Sequence, residues 1–563
     1  MHLHIHTQSL IYTLLKPLLI LAFLTSSLFA SANNLQVRNV QVDVSQVKST
    51  GITYLQFDLQ WENSWRLNYS PANHDAAWVF IKYRRANDVL SGWNHLYLNP
   101  ANHSAPSTAV IKPALLNPSD AHHVTDNPYT GAFIYRASAG VGVFSVSEVK
   151  VAVNTPYPFA DKMYDFQVHA IEMVYVPKAP FYVGDGNDGS VIDVKGELHD
   201  ASSTLKPFYI SNENVIVLGG NVKGNLGNNN ALGMNPSNIY TDDFNASSTQ
   251  TLPAAYPKGY NAFYAMKYEI TQQQYVAFLN SLTRTQQNNR TETNLSIGIS
   301  AVSNPFVMSN TATVESRNGI RCDAAVDALK PITFYNDLNA NGIANEAADG
   351  LHLAANFISW MDGAAYLDWA GLRPMTELEF EKICRGVRKP VMGEYAWGTT
   401  TINESASSYT LINNGTDNEL VANVSTSSGN AQHLAMSASG VARVGMFAAA
   451  SGNAGRAAAG AAYYGAMDLS SNVRERVVNI GRPEGRAFTG LHGNGVLSKN
   501  GHANVAFWPG SNAGEVTAAQ GSGYKGGYFL SYKSFLTVSN RFNATTVSKD
   551  RLNNFGFRGV RAE

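Results

Sequence analysis

The chain has 563 residues and a net charge of −1, so its length predicts two to four domains of roughly 100–200 residues each. The near-zero charge gives no reason to expect nucleic acid or an anionic membrane as a partner. Charged residues make up only 15% of the chain, against roughly 25% in an average soluble domain, which indicates a loop-rich and β-rich exported protein.

The N-terminal residues 1–32 are predicted to be a cleaved signal peptide. Lys16 precedes an apolar run that ends in Ala30-Ser31-Ala32, a small-x-small cleavage signature. The alternative is an uncleaved membrane anchor, but the run is short for a span of ~20 residues. No later segment is long and apolar enough to cross a bilayer. We therefore expect a protein of the periplasm, the cell surface or the extracellular space, with no membrane span after cleavage.

Residues 33–169 are predicted to form an all-β, sandwich-like module. Leu55, Phe57, Leu59 and Trp61 alternate with polar residues, which is the period of two that a strand with one buried face shows. Similar runs follow, separated by Pro, Asn and Gly clusters, as in a β-sandwich. Nothing in this module forms a catalytic constellation.

Helices are predicted further along the chain, where side chains can cap free backbone N–H groups. The capping pairs are Thr271 with Gln274, Ser359 with Asp362, and Thr376 with Glu379. Gly371 and Gly386 are placed to end the second and third of these helices. Residues 387–462 show almost no periodicity, so we expect loops that are held by bound ions or by tight docking.

Seven segments of the chain resemble, in the correct order, those of the formylglycine-generating enzyme or sulfatase-modifying factor family. They are "EMVYVPKAPFYVG", "MKYEITQQQYVAFLN", "ISWMDGAAYLDWAGLRPMTELEFEKICRG", "YAWG", "GAMDLSSNVRERV", "KGGYF" and "NNFGFRGVR". The resemblance implies that residues 170–563 form a loop-rich, C-type-lectin-like domain with insertions, often with bound calcium. The predicted fold class is therefore α+β, with a sandwich-like β module followed by this domain.

The residues of the family's oxidase chemistry are missing. The family's oxidase uses two cysteines on the strand after a double glycine, which bind copper and convert a sulfatase cysteine to formylglycine. Only a thiolate holds Cu(I) and exchanges with a substrate thiol. The corresponding positions are Ser531 and Leu536, the polar residue three positions before the first is Tyr528, and Arg474 replaces the Trp of the family's "NVWEW" motif. We therefore expect a degenerate site and no copper.

The only two cysteines, Cys322 and Cys384, lie in other segments and cannot replace the missing pair. In an exported protein an isolated pair can form a disulfide. The alternative is two separate, buried thiols, and the sequence leaves both open.

Residues 337–350, "DLNANGIANEAADG", resemble the first half of an EF-hand calcium loop. Hard oxygen ligands alternate along it, followed by a glycine for the sharp turn. The candidate ligands are Asp337, Asn339, Asn341, the carbonyl of Ile343, and Asn345. Position 12 is Ala348 rather than Glu. The alternative is an Asx-rich turn that needs no ion.

The resemblance implies further calcium ligands before and within the "NVRER" segment. The family's calcium loop maps onto the carboxylates of Asp468 and Glu475 and the carbonyls of Ser471 and Val473. The alternative is a structural loop in which Glu475 pairs with Arg474 or Arg476. A further family loop begins at Asn423-Val424, but its later acidic ligand has no clear counterpart.

The run after the double glycine is expected to present a recognition surface. Its aromatic and basic side chains can stack and hydrogen-bond without reacting: Tyr528, Phe529, Tyr532, Lys533 and Phe535. The favoured hypothesis is an exported, non-catalytic binding or structural module at the cell envelope, with a protein or glycan as its partner. The alternative is a formylglycine-generating or non-haem metal oxidoreductase that uses other residues.

Overall fold

The computed structural model describes residues 34–43, 51–120, 125–154, 164–187, 194–229, 241–404, 409–434, 439–450 and 455–563. These residues form one compact unit. The predicted signal peptide, 1–32, lies outside the described residues. Among the helices of the described ranges, none has the length and apolar character that a bilayer crossing requires.

Strands dominate the regular structure. In chain order they are β1 Gln36–Asp43, β2 Thr53–Arg66, β3 Asp75–Arg85, β4 Asn94–Leu96, β5 Ala109–Leu115, β6 Tyr129–Arg136, β7 Gly140–Val153, β8 Tyr164–Val176, β9 Phe181–Val183, β10 Leu198–Asp200, β11 Phe208–Ile210, β12 Ile216–Gly219, β13 Leu226–Asn228, β14 Thr249–Leu252, β15 Phe263–Met266, β16 Ile320–Cys322, β17 Phe334–Asn336, β18 Arg373–Pro374, β19 Leu411–Ile412, β20 Leu420–Val421, β21 Glu475–Val478, β22 Ser511–Asn512, β23 Glu515–Val516, β24 Ser522–Lys525 and β25 Gly559–Ala562.

The helices are short. They are α1 Gln272–Leu279, α2 Arg284–Arg290, α3 Trp360–Trp369, α4 Glu377–Arg385, α5 Met446–Ala449 and α6 Pro483–Arg486, with a 3₁₀ helix at Lys533–Leu536. All three predicted capping pairs form capping boxes, at the starts of α1, α3 and α4. Gly371, just after α3, and Gly386, at the end of α4, have φ of +70° and +66°, a conformation that glycine adopts without strain.

One antiparallel sheet joins the two predicted modules. Its strand order is β18-β25-β15-β8-β3-β6-β5, with β4 added beside β3. Strand β8 pairs with β3 from Tyr164 to Val174 and with β15 from Met173 to Val176. The predicted boundary at residues 169–170 falls inside β8. The β module and the C-terminal domain therefore share this strand and are not connected by a linker.

The β module is a sandwich built on one face of this sheet. Strands β1, β2 and β7 form a second sheet, and Leu55, Phe57, Leu59 and Trp61 are buried as the alternation predicts. They pack in one cluster with residues of β3 and β6 from the long sheet. The other face of β3 carries Trp78 into the main core, with α1 and α3. Strand β3 therefore separates two hydrophobic cores.

The cysteines are free and buried. Cys322 lies in the main core and Cys384 in a separate cluster beside β15 and α4. The possible disulfide is therefore not formed, and the alternative of two separate thiols holds in the structure. Burial raises the pKa of Cys322 to about 11 and also raises the pKa of Cys384, so both thiols are protonated at neutral pH.

Candidate functional site

The site beside the double glycine is built on the β21–β24 ribbon. These two strands pair antiparallel, with Arg476 opposite Tyr524. Gly526 and Gly527 follow β24 with φ of +88° and +72°. A Cβ at Gly526 would stand 2.6 Å from the carbonyl oxygen of Leu469. The chain can therefore leave the ribbon here only through glycine.

Ser531 and Leu536, the positions to which the resemblance assigns the family's cysteines, have structural roles. Tyr528 N donates to Ser531 Oγ at 3.0 Å, and Ser531 N donates to Tyr528 O at 2.8 Å, so the hydroxyl closes a tight turn. Leu536 ends the following 3₁₀ helix, and its side chain is fully buried with Tyr395 and Trp397. Neither position offers a group that binds a soft metal ion.

The predicted recognition surface divides into exposed and buried residues. Tyr532 is 71% exposed, and Lys533 forms a surface ion pair with Glu404 at 2.7 Å. Phe535 is half-buried and packs edge-on against Phe542. Phe529 is buried in the core, so its inclusion in a ligand surface is wrong.

Two arginines lie on the inner side of this turn. The Arg474 guanidinium lies 4.7 Å from the ring centroid of Tyr528 and 5.0 Å from that of Tyr524. Arg476 is fully buried, 4.2 Å from the ring centroid of Phe555. Burial lowers the pKa of Arg476 to about 10. None of its three guanidinium nitrogens has a hydrogen-bond partner within the described part of the chain.

A narrow cleft opens between the ribbon and the segment after the 3₁₀ helix. It is lined by Arg474, Tyr524, Lys525, Gly526, Gly527, Phe535, Asn540 and Asn543. Its volume of about 10 Å³ admits about one water-sized group. The ammonium of Lys525 pairs with Glu381 at 3.0 Å.

Asp468, Glu475 and Glu269 form a buried carboxylate cluster on the opposite side of β21. Glu475 Oε1 accepts from Arg558 Nε at 2.8 Å, whereas its Oε2 is buried without a partner. Asp468 Oδ2 accepts from Gly445 N at 2.7 Å. Burial raises the pKa of all three carboxyls, and the charges of Asp468 and Glu475 raise that of Glu269 further.

This cluster fits a cation, although side chains alone do not complete a metal site. Burial of three carboxylates beside two arginines, Arg558 and Arg443, leaves negative charge uncompensated. Over the described ranges, however, no three His, Cys, Asp or Glu side chains are arranged to hold a metal ion. An ion here would need backbone carbonyls, for which Ser471 and Val473 are the predicted residues. Glu475 pairs with Arg558, not with Arg474 or Arg476 as the structural alternative supposed.

Residues 337–350 do not fit calcium. The Asp337 carboxylate accepts from Arg321 at 2.6 Å and from the amides of Asn341 and Gly342 at 3.0 Å each. The side-chain oxygens of Asn339, Asn341 and Asn345 also accept from backbone N–H groups, and Ile343 is exposed. These contacts favour the Asx-turn alternative. Asp337 is the only carboxylate among the predicted ligands, and it is bound by the guanidinium of Arg321.

The loop at Asn423-Val424 is held by protein contacts as well. Asn423 Oδ1 accepts from Thr410 N at 2.8 Å beside the β19–β20 hairpin. Val424 packs against the cluster that contains Tyr409 and Phe447.

Sequence reasoning missed Glu269, Arg476 and Arg558. Glu269 and Arg558 stand in the quoted segments "MKYEITQQQYVAFLN" and "NNFGFRGVR", but no spacing connects residues that are so far apart in the chain. Arg476 was considered only as a partner for Glu475. Arginine at the first and third positions of "RER" predicts two arginines on one face of an extended segment, and this signal could have found it.

Comparison with known proteins gives one family match. A model of the sulfatase-modifying factor enzyme 1-like domain matches residues 211–563. Among solved structures, PvdO from Pseudomonas aeruginosa is 14% identical, with a TM-score of 0.29, over 70% of this chain and 95% of that chain. That level of structural similarity defines neither fold nor function. No curated protein matches the chain.

Proposed function

Because the chain belongs to the sulfatase-modifying factor enzyme 1-like family, we propose that it is an exported, non-catalytic member that acts as a binding or structural module at the cell envelope or surface. One observation carries this proposal. Ser531 and Leu536 stand where the family's oxidase has its thiols, the first as a turn-closing hydroxyl and the second as a core side chain.

The chain's own thiols offer no substitute route. Cys322 and Cys384 lie in separate cores, and burial keeps both in the protonated form, which is a poor nucleophile and metal ligand. A serine hydroxyl of ordinary acidity does not replace a thiolate on copper. These facts support a site that recognises a partner without reacting with it.

Export and calcium are further parts of the proposal. The signal-peptide pattern of residues 1–32 supports a location in the periplasm, at the surface or outside the cell. Calcium at Asp468 and Glu475, completed by the carbonyls of Ser471 and Val473, would supply the positive charge that the buried carboxylate cluster lacks. Tyr532 and Lys533 are exposed beside the degenerate site and suit contact with a protein or a glycan.

The test is an oxidase assay with copper. The purified protein is incubated with Cu(I), oxygen and a sulfatase-motif peptide, and the peptide is analysed by mass spectrometry for conversion of cysteine to formylglycine. We expect no conversion above a copper-only control. The double variant Ser531→Cys/Leu536→Cys is the matched control, since it restores both thiols, and we expect it to bind Cu(I) more tightly than the wild type.

Turnover by the unmodified protein would overturn the non-catalytic assignment. Metal analysis of the protein as purified separates the remaining possibilities. Calcium alone agrees with the proposal, whereas stoichiometric copper or iron would favour an oxidoreductase that uses other residues.

A further inference from the structure

Arg476 is a buried charge that the protein leaves without a partner. Its side chain is fully buried, and all three guanidinium nitrogens lack hydrogen bonds in the described ranges. Buried polar groups are nearly always hydrogen-bonded, and an exception points to a water or ion that is part of the working molecule. Stacking on Phe555 and Tyr524 offsets only part of the lost hydration.

Other buried arginines of this protein have hydrogen-bond partners. Arg385 binds Glu381 and Glu394, Arg541 binds Asp242 and Glu377, and Arg558 binds Glu475. Arg284 and Arg561 donate to backbone carbonyls instead, so Arg476 differs from all of these residues in having no acceptor at any guanidinium nitrogen in the described ranges. The two acidic residues whose charges act on Arg476 bind other groups. Asp362 binds Arg551 and Arg290, and Asp550 accepts a hydrogen bond from Ser548.

Arg474 is placed to share an anion with Arg476. The two residues are separated by one position along an extended segment, so their side chains leave the same face, about 7 Å apart. Both stack on Tyr524, and Arg474 and Tyr524 line the cleft. No aspartate or glutamate lines that cleft. Asn543 also lines the cleft, and its side chain makes no hydrogen bond among the described residues.

We propose that Arg474, which lines the cleft beside the double glycine, and Arg476, which is buried against the same Tyr524 ring, form an anion-binding site for one oxyanion group: a carboxylate, a sulfate or a phosphate. This inference rests on the proposed function, because it names the ligand chemistry of the same degenerate site. Guanidinium groups bind such oxyanions through paired N–H donors. The cleft admits about one water-sized group, so a single oxygen of the oxyanion enters it and the rest of the ligand stays outside.

The experiment compares small oxyanions as probes on the full-length protein. Thermal unfolding is followed while sodium sulfate, phosphate or acetate replaces sodium chloride at constant ionic strength. We expect a saturable rise in the melting temperature of the wild type with at least one oxyanion, and the strongest identifies the preferred group. Calorimetric titration of the same ion gives the dissociation constant independently of unfolding.

Three variants separate the site from general salt effects. Arg474→Gln and Arg476→Met should each weaken oxyanion binding at least tenfold. Arg388→Gln is the matched control, because Arg388 is exposed and stacks on Tyr463 outside the cleft, and it should bind like the wild type. In chloride alone, Arg476→Met should not unfold at a lower temperature than the wild type, since it removes an uncompensated charge.

Equal oxyanion shifts in all three variants, or flat calorimetric titrations of the wild type with every probe, would overturn the anion site. Those results would not affect the conclusion drawn from the oxidase assay. Conversely, formylglycine formation by the wild type would overturn the proposed function while the binding data stand.

Discussion

Two segments of this protein carry the oxygen pattern of a calcium loop, and the structure treats them in opposite ways. In residues 337–350 the side-chain oxygens accept hydrogen bonds from the loop's own backbone, and Arg321 neutralises Asp337. In the buried carboxylate cluster, three acids face two guanidinium groups, Arg558 and Arg443, and Glu475 Oε2 has no partner in the described ranges. The need for a cation depends on uncompensated buried charge, which the spacing of oxygens along a chain does not reveal.

The largest expected effect comes from removing the guanidinium that binds Glu475. Arg558→Met should destabilise the protein by about 3–5 kcal/mol, because it leaves Glu475 buried without a partner. The matched variant is Arg321→Met at the 337–350 loop, where the guanidinium is partly exposed and the loop amides still hold Asp337. We expect a loss of about 1–2 kcal/mol there. Urea denaturation measures both, and equal losses would remove the contrast between the two segments.

Calcium should act on the cluster and leave the 337–350 loop unaffected. An ion that binds only the folded state stabilises it by about 2.7 kcal/mol at a hundredfold excess over Kd. Chelation should therefore lower the melting temperature of the wild type, and Glu475→Gln should abolish most of that calcium response. Asp337→Asn should keep it.

Calorimetry is the measurement for the calcium response. Because the long sheet joins the β module to the C-terminal domain, we expect one transition to move rather than two separable ones. A wild type that unfolds identically with calcium and with chelator would show that no structural ion occupies the cluster.

The stability that Glu475 contributes to the folded protein should depend on pH. The folded-state pKa of Glu475 is raised by burial, so this group contributes stability below its unfolded pKa and loses it as pH rises through the folded value. In chelator, the stability of the wild type relative to Glu475→Gln should fall as pH rises above the unfolded pKa of about 4.3, at up to about 1.4 kcal/mol per pH unit. Denaturation at several pH values tests this, and a wild type that gains stability over Glu475→Gln with rising pH would contradict the assignment.

The smallest effect is expected within the Asx turn itself. Asn341→Ala removes the hydrogen bond to Ile343 N, 2.8 Å long and exposed, and should cost about 0.5–1 kcal/mol. The loss should be the same with and without calcium. A loss that appears only with calcium would restore the ion-binding interpretation of this loop.

Local patterns in the sequence were reliable predictors of local structure. The alternation at Leu55 to Trp61 gave a buried strand face, and three predicted capping pairs form capping boxes in the structure. Each of these features depends on residues within a few positions of one another. The predicted module boundary at 169–170 was less successful, because pairing between β8 and β15 depends on partners about 90 residues apart.

The sequence by itself determined the family segments and the starts of the helices, because each depends on neighbouring residues or on the order of short segments. Only the tertiary structure decided which charges are compensated. Glu475 meets Arg558, Asp337 meets Arg321, and Arg476 meets no acid in the described ranges. Burial makes these differences energetically large, and burial is a property of the assembled core rather than of any segment of the chain.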